Sequence, residues 1–137
     1  MANRIRKVDY FKTMTPNRRG QGARLLGMLR EEGVNLLALL AFPERGGSQV
    51  DLVPENRTAL RQAARRAGVR LSARQTVFLL EGTDRTGAVV PVLDRLAAAG
   101  INVTAVAAAR AGGGRYGALL WVKPRDVAKA ARLLKAK

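Results

Sequence analysis

The sequence contains no cysteine and no histidine. Without cysteine the chain has no disulfide bonds, no thiolate nucleophile and no cysteine-based metal site. Without histidine it lacks the most common general base near neutral pH and the most common metal ligand. The ten acidic residues form no evident catalytic pair. We therefore expect no catalytic residues, no metal site and no cofactor, and we expect the protein not to be an enzyme.

Aromatic residues and long apolar runs are also scarce. Phe, Trp and Tyr together make up 4% of the chain, which argues against a surface that stacks nucleic-acid bases. No stretch of about 18 apolar residues occurs, so we expect no membrane-spanning segment. The basic N-terminus is not followed by an apolar run of signal-peptide length. These absences predict a cytoplasmic protein with no membrane partner.

Positive charge is abundant. The 25 Lys and Arg residues against ten acidic ones give a formal net charge of +15, spread evenly along the chain. The spacing of Arg57, Arg61 and Arg65 would form one basic face of a helix. Such a face fits a solvated surface, an acidic protein partner or nucleic acid. The sequence leaves these three readings open, with nucleic acid disfavoured by the scarcity of aromatics.

The chain contains an internal repeat. A constant offset of 67 positions aligns residues 10–65 with 77–132, and 15 of the 56 pairs are identical. The identities include Phe11/Phe78, Gly20/Gly87, Gly33/Gly100 and Asn35/Asn102. An excess of this size over chance indicates a duplicated structural unit.

Each repeat has the same predicted order of elements. An apolar strand (8–13, 76–81) is followed by a turn, and then by a helix whose buried face carries Leu25, Leu26 and Leu29, or Val92, Leu93 and Leu96. Asn17 and Asp84 are predicted helix N-caps, and Gly33 and Gly100 are predicted helix stops. A strand (35–42, 102–109), a turn containing glycine, a return strand (50–53, 117–122) and a second helix follow.

In the first repeat a fourth strand is predicted at the sequence VRLS, residues 69–72. The order β-α-β-β-α-β predicts an α+β fold: two ferredoxin-like units, each an antiparallel sheet with helices on one face. We expect the units at 1–72 and 73–137, with the last strand of the second unit missing. An uncovered strand edge invites pairing, so we expect a homodimer that involves the second unit or the seam between units.

These motifs resemble the ACT domain, a family of small amino-acid-binding regulatory modules. The sequence DRTG…LDRLAAAGINV at 84–103 carries the resemblance, and NRRG…LGMLREEGVNL at 17–36 is a looser version of it. The resemblance extends over residues 8–135 and implies a stand-alone tandem ACT-domain protein.

The resemblance also implies a ligand site. ACT domains commonly bind effectors between two units, where a strand–helix loop faces a helix–strand junction. Carried over to this chain, the predicted ligand-binding residues are Asn17, Arg18, Arg19, Gly20, Gly33, Val34 and Asn35, with Asp84, Arg85, Thr86, Gly87, Gly100, Ile101 and Asn102 in the second repeat. A helix N-terminus can hold a carboxylate, and an Asn amide can both donate and accept hydrogen bonds.

Several of these residues also have a purely structural explanation. An Asn that follows a helix-stopping Gly can tie the turn together by local hydrogen bonds. Asn17 and Asp84 could serve only as helix caps, and Arg18 and Arg85 could be solvated charges. If the site is functional, the arginines of the first loop favour an acidic ligand.

The sequence thus predicts a non-catalytic regulatory protein that binds an amino acid or a related small carboxylate. The alternative function is a basic module that binds nucleic acid or an acidic protein partner.

Overall fold

The computed structural model describes residues 4–137. Its elements are β1 (Arg4–Thr15), α1 (Gln21–Glu31), β2 (Leu36–Glu44), β3 (Gly47–Pro54), α2 (Arg57–Ala67), β4 (Gln75–Thr83), α3 (Val90–Ala98), β5 (Val103–Gly112), β6 (Arg115–Val122) and α4 (Val127–Leu134), with a 3₁₀ turn at Pro124–Asp126. The strand pairs within each repeat are antiparallel. The predicted fold class is confirmed: the chain is built from two ferredoxin-like, ACT-like units.

The two compact units do not follow the expected ranges of 1–72 and 73–137. The first unit is Asp9–Gln75, and the second is Thr76–Lys137 together with residues 4–8. The second unit therefore includes the start of β1. Sequence periodicity could not reveal this, because β1 and its neighbour β4 are far apart in the sequence.

The first unit has the strand order β2-β3-β1. Phe11 of β1 lies opposite Leu52 of β3, and both side chains are almost fully buried. The predicted apolar face of α1 packs onto this sheet through Leu25 and Leu29, and α2 adds Leu60. Burying a side chain of this size stabilises the fold by about 1.5–3 kcal/mol.

The predicted fourth strand at residues 69–72 has no regular strand structure. It nevertheless lies beside β1, since the Ser72 backbone N–H donates to the Lys12 carbonyl at 2.9 Å. The Ser72 hydroxyl accepts the Lys12 N–H, and the Thr13 hydroxyl donates to the Arg70 carbonyl. Side-chain hydrogen bonds thus replace some of the backbone hydrogen bonds that a regular strand at residues 69–72 would form with β1.

The second unit has the strand order β1-β4-β6-β5, with its core between the sheet and α3 and α4. No strand follows α4 among the described residues, but the start of β1 takes the place beside β4. Ile5 is buried in the core of this unit with Phe78 and Leu120. The Ile5 carbonyl also accepts the Lys137 N–H at 3.1 Å. The uncovered edge that the sequence predicted at this position is therefore absent.

The constant offset of 67 implied an alignment of the repeats without gaps, but the structure shows a gap. Phe11 pairs with Leu52 and Phe78 pairs with Leu120, so the third strands correspond at an offset of 68. The extra residue lies in the β5–β6 hairpin, where the register shifts between Arg110 and Gly112. A β-bulge at this point absorbs one residue and keeps the apolar side chains facing the core.

No helix in residues 4–137 is long and apolar enough to cross a membrane.

The recruitment of β1 by the second unit can be tested with Ile5→Ala. We expect the variant to lose about 2–5 kcal/mol of unfolding free energy, because it leaves a cavity in a buried core. The neighbouring Arg4 is exposed, so Arg4→Ala should stay within about 0.5 kcal/mol of the wild type. Urea unfolding followed by circular dichroism measures both. Equal stability of the two variants would contradict the packing of Ile5.

Candidate ligand-binding junctions and loops

The α1–β2 junction contains the first copy of the repeated Gly-apolar-Asn sequence. Gly33 has a φ of 73°, in the left-handed region that glycine adopts without a Cβ penalty. Its N–H donates to the Arg30 carbonyl, and the Val34 N–H donates to the Leu29 carbonyl at 2.9 Å. The predicted helix stop is thus present, and it buries Val34 while leaving Asn35 at the surface.

Asn35 links this junction to the start of α2. Its Nδ2 donates to Glu55 Oε2 at 2.9 Å, and the Glu55 N–H donates to the Asn35 carbonyl at 2.9 Å. A structural role for Asn35 is therefore real. The hydrogen bond uses only one N–H of the amide and leaves the oxygen Oδ1 outside it.

A cavity of about 460 Å³ opens at this junction. Gly33, Val34 and Asn35, all predicted from the sequence, form part of its wall. The complete lining is Leu26, Leu29, Arg30, Gly33, Val34, Asn35, Leu36 and Leu39. The wall is apolar with a few polar groups, as in small-molecule sites, and the cavity is widely open to solvent.

Arg30 and Glu55 were not identified from the sequence. Arg30 occupies the last turn of α1, and the 67-residue offset places Ala97 at the corresponding position of α3. Most aligned pairs differ between the repeats, so no sequence signal separates Arg30 from the other residues that differ. Glu55 could not be found from the sequence either, because its contact with Asn35 bridges 20 positions.

The α3–β5 junction has the same backbone conformation as the α1–β2 junction, but it lacks the side-chain hydrogen bond that Asn35 makes there. Gly100 has a φ of 77°, and the Ile101 N–H donates to the Leu96 carbonyl at 2.9 Å. Ile101 is buried and Asn102 is exposed. Lys123 follows β6 where Glu55 follows β3, and a lysine cannot accept the amide N–H. Within residues 4–137 the Asn102 side chain makes no hydrogen bond.

The β1–α1 loop differs from its prediction. The N-cap of α1 is Gly20, with a φ of 85° and no side-chain cap, and not Asn17. The Arg18 N–H donates to the Pro16 carbonyl, and the Gln21 N–H donates to the Arg18 carbonyl. This tight turn separates Asn17 from the first helical N–H groups. Asn17, Arg18, Arg19 and Gly20 are all exposed.

In the β4–α3 loop, the predicted N-cap Asp84 is also wrong. The N-cap of α3 is Val89, because one turn, closed by the bond from the Ala88 N–H to the Arg85 carbonyl, precedes the helix. Asp84 instead forms an ion pair with Arg110 at 3.2 Å. Arg85, Thr86 and Gly87 are exposed. Arg85 lines a cavity of the second unit, between α3 and the end of α4.

The predicted basic face of α2 is partly used inside the first unit. Arg57 forms an ion pair with Asp9 at 2.8 Å, and the Arg61 guanidinium lies 5.2 Å from the centre of the Phe11 ring. Two of the three arginines therefore have contacts within the unit, which leaves less positive charge on this face for a partner.

Known structures share this fold at low sequence identity. Protein BT0572 from Bacteroides thetaiotaomicron superposes with a TM-score of 0.80 and 17% identity, over 96% of this chain and 88% of that one. The ligand-free regulatory subunit of aspartate kinase from Thermus thermophilus gives 0.60 and 16%, over 98% and 93%. The corresponding subunit from Thermus flavus gives 0.58 and 17%, over 98% and 94%.

The chain matches no protein-family model and no curated protein. The structural likeness therefore shows the fold alone. Among the described residues, no group of three or more acidic side chains is arranged to hold a metal ion.

Two buried tyrosines provide a matched test of the core. Tyr10 and Tyr116 are each 5% exposed. The Tyr10 hydroxyl donates to Gln75 Oε1 at 3.0 Å, whereas the Tyr116 hydroxyl has no partner among the described residues. A buried hydroxyl without a partner costs about 1–3 kcal/mol. Tyr116→Phe should therefore raise the melting temperature, and Tyr10→Phe should lower it.

The buried Tyr116 hydroxyl also predicts how the stability of the protein changes at alkaline pH. Burial raises the pKa of Tyr116 above its ordinary 10.0, partly opposed by Arg85 and Arg115. Above about pH 10 the unfolded chain releases this proton while the folded protein retains it, so the wild type should lose stability as the pH rises. Tyr116→Phe should lose less between pH 9 and 11 in denaturant titrations. Parallel losses in both proteins would refute the assignment.

Proposed function

We propose that this protein is a non-catalytic regulatory protein of the ACT-domain kind that binds an amino acid or a related small carboxylate. The observation that carries the proposal is the cavity at the α1–β2 junction, whose wall contains Gly33, Val34 and Asn35. The fold of aspartate kinase regulatory subunits, which this chain resembles, supports a regulatory role.

The polar groups at this junction suit a zwitterion. The Arg30 guanidinium can donate two parallel hydrogen bonds to a carboxylate. Asn35 Oδ1 can accept from an ammonium group, and Glu55 adds negative charge one hydrogen bond away. Each charge-assisted hydrogen bond contributes about 1.5–3 kcal/mol.

The apolar wall selects among amino acids. Leu26, Leu29, Leu36 and Leu39 line the cavity, and they would receive the ligand's side chain. An apolar amino acid therefore fits this junction better than the acidic ligand suggested by Arg18 and Arg19. The Asn17–Gly20 and Asp84–Gly87 loops, with the Gly100–Asn102 junction, remain proposed ligand-binding residues.

The proposal predicts that single substitutions weaken binding without unfolding the protein. Arg30→Met keeps a good helix former and removes the carboxylate partner, so affinity for the bound amino acid should fall at least about tenfold. Asn35→Ala should lower affinity severalfold, since it removes the ammonium acceptor. A thermal-shift screen of the twenty amino acids identifies the ligand, and calorimetry then measures the variants.

Arg24→Met is the matched control, and Asn102→Ala is a further test variant. Asn102→Ala shows whether the second junction takes part, and Arg24→Met removes an exposed α1 arginine that does not line the cavity. If no amino acid shifts the melting temperature, or if Arg24→Met weakens binding as much as Arg30→Met, the junction is not the binding site.

A regulatory protein of this kind acts on a separate partner. The aspartate kinase subunits that share the fold suggest an enzyme of amino-acid metabolism as that partner. The alternative, a module that binds nucleic acid or an acidic protein, draws on the net charge of +15. The internal contacts of Arg57 and Arg61 weaken that alternative.

We also propose that the protein forms a homodimer, although not through the edge first expected. β5 is the end strand of the second unit, and its Val106 is 47% exposed beside a run of alanines. Exposed apolar edges favour strand pairing. Val106→Lys should therefore shift the protein to a monomer in light scattering at micromolar concentration. Met14→Lys alters a similarly exposed residue outside β5 and should leave the dimer intact. A monomeric wild type would exclude this assembly.

A further inference from the structure

The second unit contains a cavity of about 590 Å³ between α3 and the end of α4. Ile5, Val92 and Leu134 contribute buried apolar surface to its lining. Arg85, Arg95 and Lys135 contribute three cationic side chains, and no acidic residue lines it. The cavity thus combines an apolar floor with side chains that carry only positive charge.

These three cations are not neutralised by the protein. The ion pairs among residues 4–137 engage Arg6, Arg57, Arg66, Arg74 and Arg110, and none of them involves Arg85, Arg95 or Lys135. Like charges that converge on one cavity repel each other. An anion within the cavity would relieve this repulsion.

Lys135 has a left-handed backbone conformation, which glycine would adopt at a lower free-energy cost. It ends α4 with a φ of 53°, and no other non-glycine residue in the described chain has a positive φ. The corresponding position at the end of α2 is Gly68, with a φ of 70°. Glycine is the usual residue at this position because it has no Cβ. A lysine in this strained conformation points to a role for its ammonium group.

The first unit has a cavity at the corresponding place, but its charged residues stand at other positions. Leu25 and Gly68 line a cavity of about 600 Å³ at the positions that correspond to Val92 and Lys135. The residue that corresponds to Arg95 is Met28. The cavity of the first unit is lined by two other cations, Lys12 and Arg70, so the second unit differs in having Arg85, Arg95 and Lys135 at its own cavity.

We propose that the cavity between α3 and α4 of the second unit binds the phosphate monoester of a small organic molecule. The phosphate dianion lies among Arg85, Arg95 and Lys135, and the organic part packs on Ile5, Val92 and Leu134. Arginine offers paired donors to phosphate oxygens, and lysine adds a compact point charge. This site is separate from the α1–β2 junction and takes a different class of ligand.

The test uses phenyl phosphate as the probe, with succinate as a dianion of different geometry. Calorimetry at low ionic strength should detect binding of phenyl phosphate and weaker or no binding of succinate. The double variant Arg95→Met/Lys135→Gly gives the second unit the residues of the first. Its affinity for phenyl phosphate should fall at least about tenfold, which corresponds to about 1.4 kcal/mol.

Stability separates this effect from unfolding. Glycine accepts the left-handed conformation and methionine is a good helix former, so the double variant should melt no lower than the wild type. Arg85→Glu lies in an exposed loop outside the helices and provides an independent variant, which should lose at least as much affinity. The charge-matched control is Lys123→Ala/Arg125→Ala, at exposed positions that do not line the cavity.

Four results would overturn the proposal: no binding of phenyl phosphate at millimolar concentration, succinate binding as tightly as phenyl phosphate, unchanged affinity in both the double variant and Arg85→Glu, or an equal loss in the control. The last result would mean that diffuse surface charge binds the probe. Amino-acid binding at the α1–β2 junction is measured with other ligands and variants, so either proposal can fail alone.

Discussion

A single strand, β1, contributes to two hydrophobic cores, and the rest of the fold depends on this sharing. Ile5 is buried with the side chains of the second unit, and Phe11 is buried with those of the first. A one-residue slip in this strand would remove both side chains from their cores at once. Its register is therefore strongly constrained.

The two units show how a duplicated fold can keep its core and change its surface. The helix-ending glycines Gly33 and Gly100 have nearly the same backbone conformation, since the turn requires a left-handed residue. The residues around them differ: Glu55 accepts a hydrogen bond from Asn35, whereas a lysine follows β6 at the corresponding position. Core residues are held by packing, but an exposed residue that changes costs little stability. The units can therefore acquire different ligands while they retain one architecture.

Local patterns in the sequence were sufficient for most of the fold but not for its boundaries. The apolar spacing of α1 and α3 correctly identified Leu29 and Leu96 as buried, and the glycine stops were in place. The helix caps were wrong at Asn17 and Asp84, because an additional turn precedes each helix. The β-bulge between Arg110 and Gly112 was invisible for a similar reason: it is defined by pairing with β6 rather than by local composition. Contacts distant in sequence, such as that of Glu55 with Asn35, leave no periodic signal.

The distribution of charge gives the net value of +15 a different meaning from that suggested by composition alone. Much of the positive charge is diffuse, and part of it is used within the units, as in the contacts of Arg57 with Asp9 and of Arg61 with Phe11. Exposed pairs of this kind contribute little stability, since water and salt screen them. Cations that converge on a concave apolar surface are in a different situation, because no acidic residue among those described at 4–137 lines that cavity. The informative feature of a strongly basic chain is thus the place where its charge remains unbalanced, and in this protein one such place is the cavity beside Lys135.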